Sequence, residues 1–536
     1  MMIKARYSFL PLFFLFVFAC QSGKEKNDKE VEMKPVENVD EEEPASVYDQ
    51  GLRPQFHFSP ASHWMNDPNG MYYQDGTFHL FFQYHPDSTV WGPMHWGHAT
   101  SDDLMYWKER DIALYPDSLG YIFSGSAVVD VNNTSGLGTL ENPPVVAIYT
   151  YHNPEKEEAK SGDHQYQGLA YSLDHGMTWI KFPGNPVLDN PGYTDFRDPK
   201  IIWYKDQSKW IMVLAAGDRI LLYQSENLID WHFMSEFGEG QGSHDGVWEC
   251  PDLLRLRVEG TQQEQWVLLV SVGTGGERGS ATQYFVGDFD GYTFTSKRYP
   301  ESILWLDHGH DNYAGVTWSG IPENDGRDIF IGWMSNWDYA QKTPTDPWRG
   351  AMTIPRELSV FSSPNGRMVR SYPVREQELL RVSGVEINRT LVNGPGDFSS
   401  YLTGGEYLLD LELVISKVET TGSWDLIFSN QLGDTLVTGY DNARNQFFVD
   451  RADAGNTGFS DKFTGRRYTQ RMSRNPQMPV KILLDRSSIE IFHDKGEAVF
   501  TEQFFVDQPF TRMAIVSSEE AILVEGMVYQ LERIWK

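Results

Sequence analysis

Apolar residues along this chain fall in short runs of strand length, broken by Gly, Pro and acidic turns. Phe78-His79-Leu80-Phe81-Phe82-Gln83, Leu169-Ala170-Tyr171 and Ile220-Leu221-Leu222-Tyr223 are such runs, and runs of this size bounded by turn residues predict β-strands. A polar phrase recurs between them. Ser101-Asp102-Asp103-Leu104-Met105-Tyr106-Trp107 is echoed by Ser225-Glu226-Asn227-Leu228-Ile229-Asp230-Trp231. Looser copies are Ser172-Leu173-Asp174-His175-Gly176-Met177-Thr178-Trp179 and Asp288-Phe289-Asp290-Gly291-Tyr292-Thr293-Phe294. The closing aromatics are about 50 to 70 residues apart, slightly more than one four-stranded propeller blade. Four echoes and an irregular opening or closing unit predict five blades over residues 48–370. Tyr372 to Leu380 then reads as a connector with a turn or two of helix, in a linker spanning 371–384. Tyr407–Leu413, Val480–Asp485 and Ser488–His493 alternate again, which predicts a β-sandwich over 385–536. The expected fold is all-β.

Composition agrees. The 536 residues suffice for two sizeable domains, and 14% aromatics with 47 Gly and 28 Pro favour strands and turns over long helices. A formal charge of −30 excludes a nucleic-acid partner of the usual kind, which requires a basic surface.

The N-terminus reads differently. A basic start (Lys4, Arg6) and an apolar run from Phe9 to Ala19 lead into Val17-Phe18-Ala19-Cys20, similar to a bacterial lipobox. Residues 1–19 are expected to be a lipoprotein signal peptide and Cys20 the lipidated residue, with attachment to the cell envelope by acyl chains and not by a spanning helix. Residues 20–47 are polar, with an acidic run Asp40-Glu41-Glu42-Glu43, and read as a disordered tether. Cys250, the other cysteine, then has no intrachain disulfide partner.

Three acids stand beside backbone-restricting residues and aromatics. They are Asp67 in Trp64-Met65-Asn66-Asp67-Pro68-Asn69-Gly70, Asp198 in Phe196-Arg197-Asp198-Pro199, and Glu249 in Trp248-Glu249-Cys250-Pro251. All three settings look like turns that hold a carboxylate at the mouth of a cleft. Two carboxyls of unequal pKa are the minimum for cleaving a glycosidic bond with retention. Arg197 is expected to lower the pKa of Asp198, and the less polar flanks of Glu249 to raise its own. The histidines at 57, 63, 79, 85, 95 and 98 match no familiar zinc spacing, so neither metal nor cofactor is expected in the chemistry.

These segments resemble family 32 glycoside hydrolases, the invertases, inulinases and levanases. The likeness continues through Gln83, Trp91–His98, Phe123–Ser126, Asp307–Asp311 and Gly332–Trp337. The resemblance implies a five-bladed propeller carrying a β-sandwich. It also implies Asp67 as nucleophile, Glu249 as acid and base, and Asp198 as the binder of two sugar hydroxyls. Asn66, Gln83, Ser124, Arg197 and Asp307 would bind substrate, with Trp64, Trp91 and Trp333 walling the pocket. Retention requires the Asp67 and Glu249 carboxyls about 5 to 5.5 Å apart. Phe123 stands where some members carry Trp, and His310 where others carry Lys. Asp67, in place of the Glu of some endo-acting members, favours release of terminal fructose. The expected activity is that of an exo-β-fructosidase on levan, inulin-type fructans or sucrose. Endo-levanase action, fructosyl transfer, an inverting mechanism and a noncatalytic fructan-binding lipoprotein are the alternatives.

Overall fold

The computed structural model describes residues 47–297, 302–402, 407–418 and 421–535. The expected signal peptide, Cys20 and the tether up to residue 46 lie outside them. Five antiparallel sheets follow one another in chain order. Their first strands are His63–Gln74, Tyr121–Val129, Phe196–Tyr204, Trp248–Arg257 and Tyr313–Thr317. Each packs against the first strand of the next sheet, and the last packs against the first, closing a ring. The strand Trp348–Arg349 leaves the fifth sheet and pairs in parallel with His63–Gln74, stitching the ring shut.

The recurring polar phrase occupies the same place in four sheets, the turn between the third and outermost strands. Its acidic or amide side chain caps the turn. Asp103 accepts the N–H groups of Met105 and Tyr106, Asn227 those of Ile229 and Asp230, and Asp290 those of Tyr292 and Thr293. Such caps mimic backbone turns and release the following aromatic into the core. Trp107 and Trp231 are buried accordingly. The fifth sheet has instead a short hairpin between Arg356–Ser363 and Gly366–Pro373, which is why no fifth echo exists.

A 3₁₀ turn at Arg375–Leu380 leads into the strand Arg381–Val392. Two six-stranded sheets follow, enclosing an apolar core that includes Trp424, Phe428 and Ile491. Leu483, Phe492 and Val499 of this sandwich join Trp64, Met65 and Phe82 of the propeller in one further cluster. The two domains therefore share buried surface.

Candidate active site

Each of the five ring strands loses register with its neighbour at one level. The breaks lie between Met65 and Pro68, between Ile122 and Gly125, opposite Val213 and Ala215, between Glu249 and Asp252, and between Tyr313 and Val316. Asp67, Ser124, Asp198, Glu249 and Tyr313 sit in or beside these breaks. The acids are thus carried on β-bulges inside strands, not on the turns that their sequence context suggests. A bulge re-aims a side chain out of the pleat, and Pro68, Pro199 and Pro251 have no N–H to restore the ladder there. Asp198, Cys250 and Ala314 adopt left-handed φ values of 66°, 45° and 54°, a strained conformation for residues with a Cβ. Thr150 Oγ1 accepts the Asp198 N–H at 3.0 Å and helps to hold it.

The bulges bring the acids together. Asp67 accepts from Asn66 Nδ2 at 2.9 Å and from Ser124 Oγ at 3.0 Å, while the Trp64 indole N–H fixes the Asn66 amide at 2.7 Å. Cys250 bridges two acids: its Sγ lies 3.6 Å from Asp67 Oδ2 and 3.5 Å from Asp198 Oδ2, and its backbone N–H donates to Asp198 at 3.0 Å. Glu249 precedes it and takes two donors from Arg197, Nε at 3.1 Å and Nη2 at 2.9 Å, and a third from the Tyr313 hydroxyl. Arg197 also pairs with Asp195 at 2.5 Å and reaches Gln165.

Two expectations about charge are corrected here. Arg197 turns toward Glu249 and Asp195, so Glu249 has charged and polar partners where an apolar pocket was expected. Asp198 is not lowered: burial pushes it up to about 7, with the charges of Glu249 and Asp67 adding to the rise and Arg197 opposing it. Burial and then the Glu249 charge push Asp67 up to about 6, against the hydrogen bonds of Asn66 and Ser124.

A stability effect follows. A carboxyl whose folded pKa lies above its unfolded value binds protons more tightly in the folded chain. Stability then falls as pH rises from the unfolded value of about 4 through the folded one. Asp198→Asn is expected to melt at a higher temperature than the parent at pH 8, with the advantage shrinking toward pH 4. Thermal unfolding at both pH values measures it, and an unchanged melting temperature at pH 8 would count against a costly buried charge.

A cavity of about 590 Å³ opens beside the acids, lined by Trp91, Phe123, Arg197, Glu249 and Trp337 among others. Trp91, 37% exposed, meets Phe123 edge-on at the rim. Trp64 and Trp333 do not wall it. Both are fully buried, 5.9 Å apart, and Trp337 packs on both and presents the wall instead. Gln83 is buried on its strand with Nε2 lacking a protein partner. Tyr313, Cys250 and Trp337 were missed as site residues. Each lies within or beside a quoted segment, but only the bulge geometry reveals which way it points.

Of the histidines between 57 and 98, His57 bonds Asp485 and Glu490, and His79 stacks on His98. Among the described residues, the group with metal-ligand geometry is His152, Glu157 and His164.

The comparisons with known proteins decide the family. Residues 57–373 match the glycosyl hydrolases family 32 N-terminal domain, and residues 376–530 match the family 32 C-terminal domain. The chain belongs to glycosyl hydrolase family 32. This family 32 enzyme is 46% identical over 498 residues to a levanase of Bacillus subtilis, covering 92% of this chain and 72% of that protein. It is 38% identical over 500 residues to an extracellular exo-inulinase of Aspergillus niger, covering 88% and 93%. The crystal structure of the exo-inulinase from Aspergillus awamori superposes with a TM-score of 0.83 at 34% identity, covering 91% of this chain and all of that one. The propeller-plus-sandwich reading of the sequence is borne out by these relatives.

One expected substrate residue of the family 32 enzyme lies elsewhere. Asp307 is buried at the domain boundary, accepting from Arg356 Nη1 at 3.0 Å, Thr501 Oγ1 at 2.6 Å, Thr501 N–H at 3.0 Å, Gly309 N–H at 2.9 Å and Asn312 Nδ2 at 3.1 Å. Five donors leave it no capacity for a sugar hydroxyl. Burial would raise its pKa, but Arg356 and these bonds bring it below the usual carboxylate value. His310 is likewise taken up by Glu502 of the sandwich.

Proposed function

We propose that this family 32 enzyme is a retaining exo-β-fructosidase that hydrolyses terminal β-D-fructosyl units of levan or inulin-type fructans, and sucrose. One observation carries the reading: three carboxylates from three ring strands converge, Cys250 touching two of them and Glu249 raising both electrostatically. Asp67 attacks the anomeric carbon, breaking the glycosidic bond as Glu249 gives its proton to the leaving oxygen. Glu249 then takes a proton from water, which displaces the fructosyl unit from Asp67; two inversions give retention. Asp198 accepts hydrogen bonds from the fructose hydroxyls and offsets charge developing on the ring. The unpartnered Gln83 amide suits a sugar hydroxyl, and the exposed Trp91 face suits the apolar side of a following unit. Relatives named for levan hydrolysis and for exo-acting inulin hydrolysis support the substrate class.

Purified protein incubated with levan, inulin and sucrose is expected to release fructose as the first product. Early oligosaccharides of intermediate length would replace the exo reading with an endo one. Because Asp67 must be ionised to attack, and burial holds its carboxyl up to about 6, kcat/KM is expected to fall on the acid side with a midpoint near pH 6. An initial-rate profile measures this limb; a plateau continuing to pH 4 would contradict it.

Lipid anchorage at Cys20 in a bacterial cell envelope belongs to the same proposal, resting on the lipobox-like Val17–Cys20. Labelled fatty acid is expected to enter the wild-type chain and not Cys20→Ser; equal labelling of both would exclude this site.

A further inference from the structure

We infer that a zinc-class divalent transition metal binds His152, Glu157 and His164 on the wall of the active-site cavity, and that its occupancy lowers turnover. His152 ends the strand Val145–His152, and His164 immediately precedes its partner strand Gln165–Ser172. His152 pairs in register with Gln165, and the Asn153 N–H donates to the His164 carbonyl at 2.8 Å. The two imidazoles are therefore neighbours at the open end of a hairpin, their rings 5.4 Å apart and nearly perpendicular. Between them the chain makes the short helix Pro154–Glu158, capped by Asn153 accepting from Lys156 N–H, and this excursion hangs Glu157 over the pair.

One nitrogen of each histidine and one Glu157 oxygen lie within 4.8 Å of one another. His152 Nε2 and Glu157 Oε2 are already 3.0 Å apart. Two ligands bound at about 2.0–2.1 Å in a tetrahedral site are separated by about 3.3 Å, so a small closure completes the set. Both histidines are buried, whereas the Glu157 side chain is 56% exposed and able to make that closure. His152 Nε2 is the nitrogen directed at Glu157, while Gln165 Nε2 lies 3.4 Å from His152 Nδ1 and would give way for Nδ1 to carry the ring proton once Nε2 takes the metal. Two imidazoles and a carboxylate are a recognised zinc donor set, with a fourth position left for water or a hydroxyl. Lys160 lines the same cavity and opposes a cation, while Arg197 is already paired with Asp195 and Glu249.

The link to turnover is physical. All three ligands line the cavity that also holds Arg197 and Glu249, and the His152 ring stacks on Phe123 at 4.4 Å, which in turn meets Trp91. Metal on His152 fixes this aromatic wall and adds charge beside the path of the leaving group.

Metal-stripped, tag-free enzyme is to be titrated calorimetrically with zinc chloride, and with Co²⁺ followed by visible absorption. One equivalent should bind, with tetrahedral Co²⁺ bands. His164→Ala should weaken binding at least about 100-fold and Glu157→Gln about 10-fold or more, since even outer partners are worth about 10–100-fold. Glu157 is exposed, so its variant keeps the test valid if His164→Ala misfolds. Absence of binding, or binding unchanged in these variants, would overturn the site; this arm uses no substrate and is independent of the proposed activity. In the rate arm, each protein is compared with its own metal-free rate. Zinc should slow the wild type and leave Glu157→Gln unaffected at the same concentration. An unaffected wild type, or equal inhibition of both, would overturn the effect on turnover.

Discussion

Replacing Asp67 with Ala is expected to lower kcat by about 10⁴-fold or more, because no other group on the ring is positioned to take its place at the anomeric carbon. That factor corresponds to about 5.4 kcal/mol of lost transition-state stabilisation. Glu249→Ala should cost about 10²–10⁴-fold, the usual range for a general acid and base, and its signature should differ. A fructoside with a good aryl leaving group needs no proton in the first step, yet still needs a base in the second. Glu249→Ala should then release one rapid equivalent of the aryl group and accumulate a fructosyl adduct, visible by intact-protein mass spectrometry on the Asp67 peptide. Glu249→Ala should melt close to the parent, since Glu249 is only partly buried, and Asp67→Ala at or above it at neutral pH, since the folded chain holds the Asp67 carboxyl above its ordinary value. Either variant retaining activity within about tenfold of the parent would assign the wrong residue to its role.

The second large effect is on stability. Asp307→Ala should destabilise the protein by about 3–5 kcal/mol, the cost of leaving one partner of a buried ion pair alone. The group that loses a partner is Arg356, fully buried, which would keep its pairing with Glu490 at 3.0 Å and its bond to Thr501 Oγ1 at 2.6 Å. Thr501 would lose two further bonds to the missing carboxylate. Denaturant unfolding should show the loss, while KM measured well below the melting temperature should stay within about twofold of the parent. A residue that binds sugar gives the reverse pattern, a normal midpoint with a raised KM.

Much of this was legible in the sequence. The strand runs, the repeated capping phrase and the change of pattern near Tyr372 all report local physics, and local physics survives folding. The three acids were legible for a similar reason: prolines and aromatics beside carboxylates restrict the backbone wherever they occur. What the sequence withheld is direction. Asp67-Pro68 and Asp198-Pro199 have the composition of turns, and only pairing with neighbouring strands turns them into bulges. Arg197 adjoins Asp198 in the chain, yet alternation along a strand sends consecutive side chains to different partners, so its charge serves Glu249. Asp307 lies in a polar motif, and three of its five donors come from Thr501 and Arg356, far along the chain, which no local reading could supply. Trp333 and Trp337 share one motif, and burial alone distinguishes the wall from the core behind it.

The parallel pairing of Trp348–Arg349 with the opening strand has a consequence for how catalytic competence arises. The groups proposed to attack and to donate a proton come from the first and fourth sheets, so neither sheet alone holds them in a common frame. Competence is a property of the circle and not of its segments. An enzyme whose clasp has been loosened would keep most of its secondary structure and still fail to turn over, which makes hydrolysis a direct reporter of whether the two ends of the propeller have met.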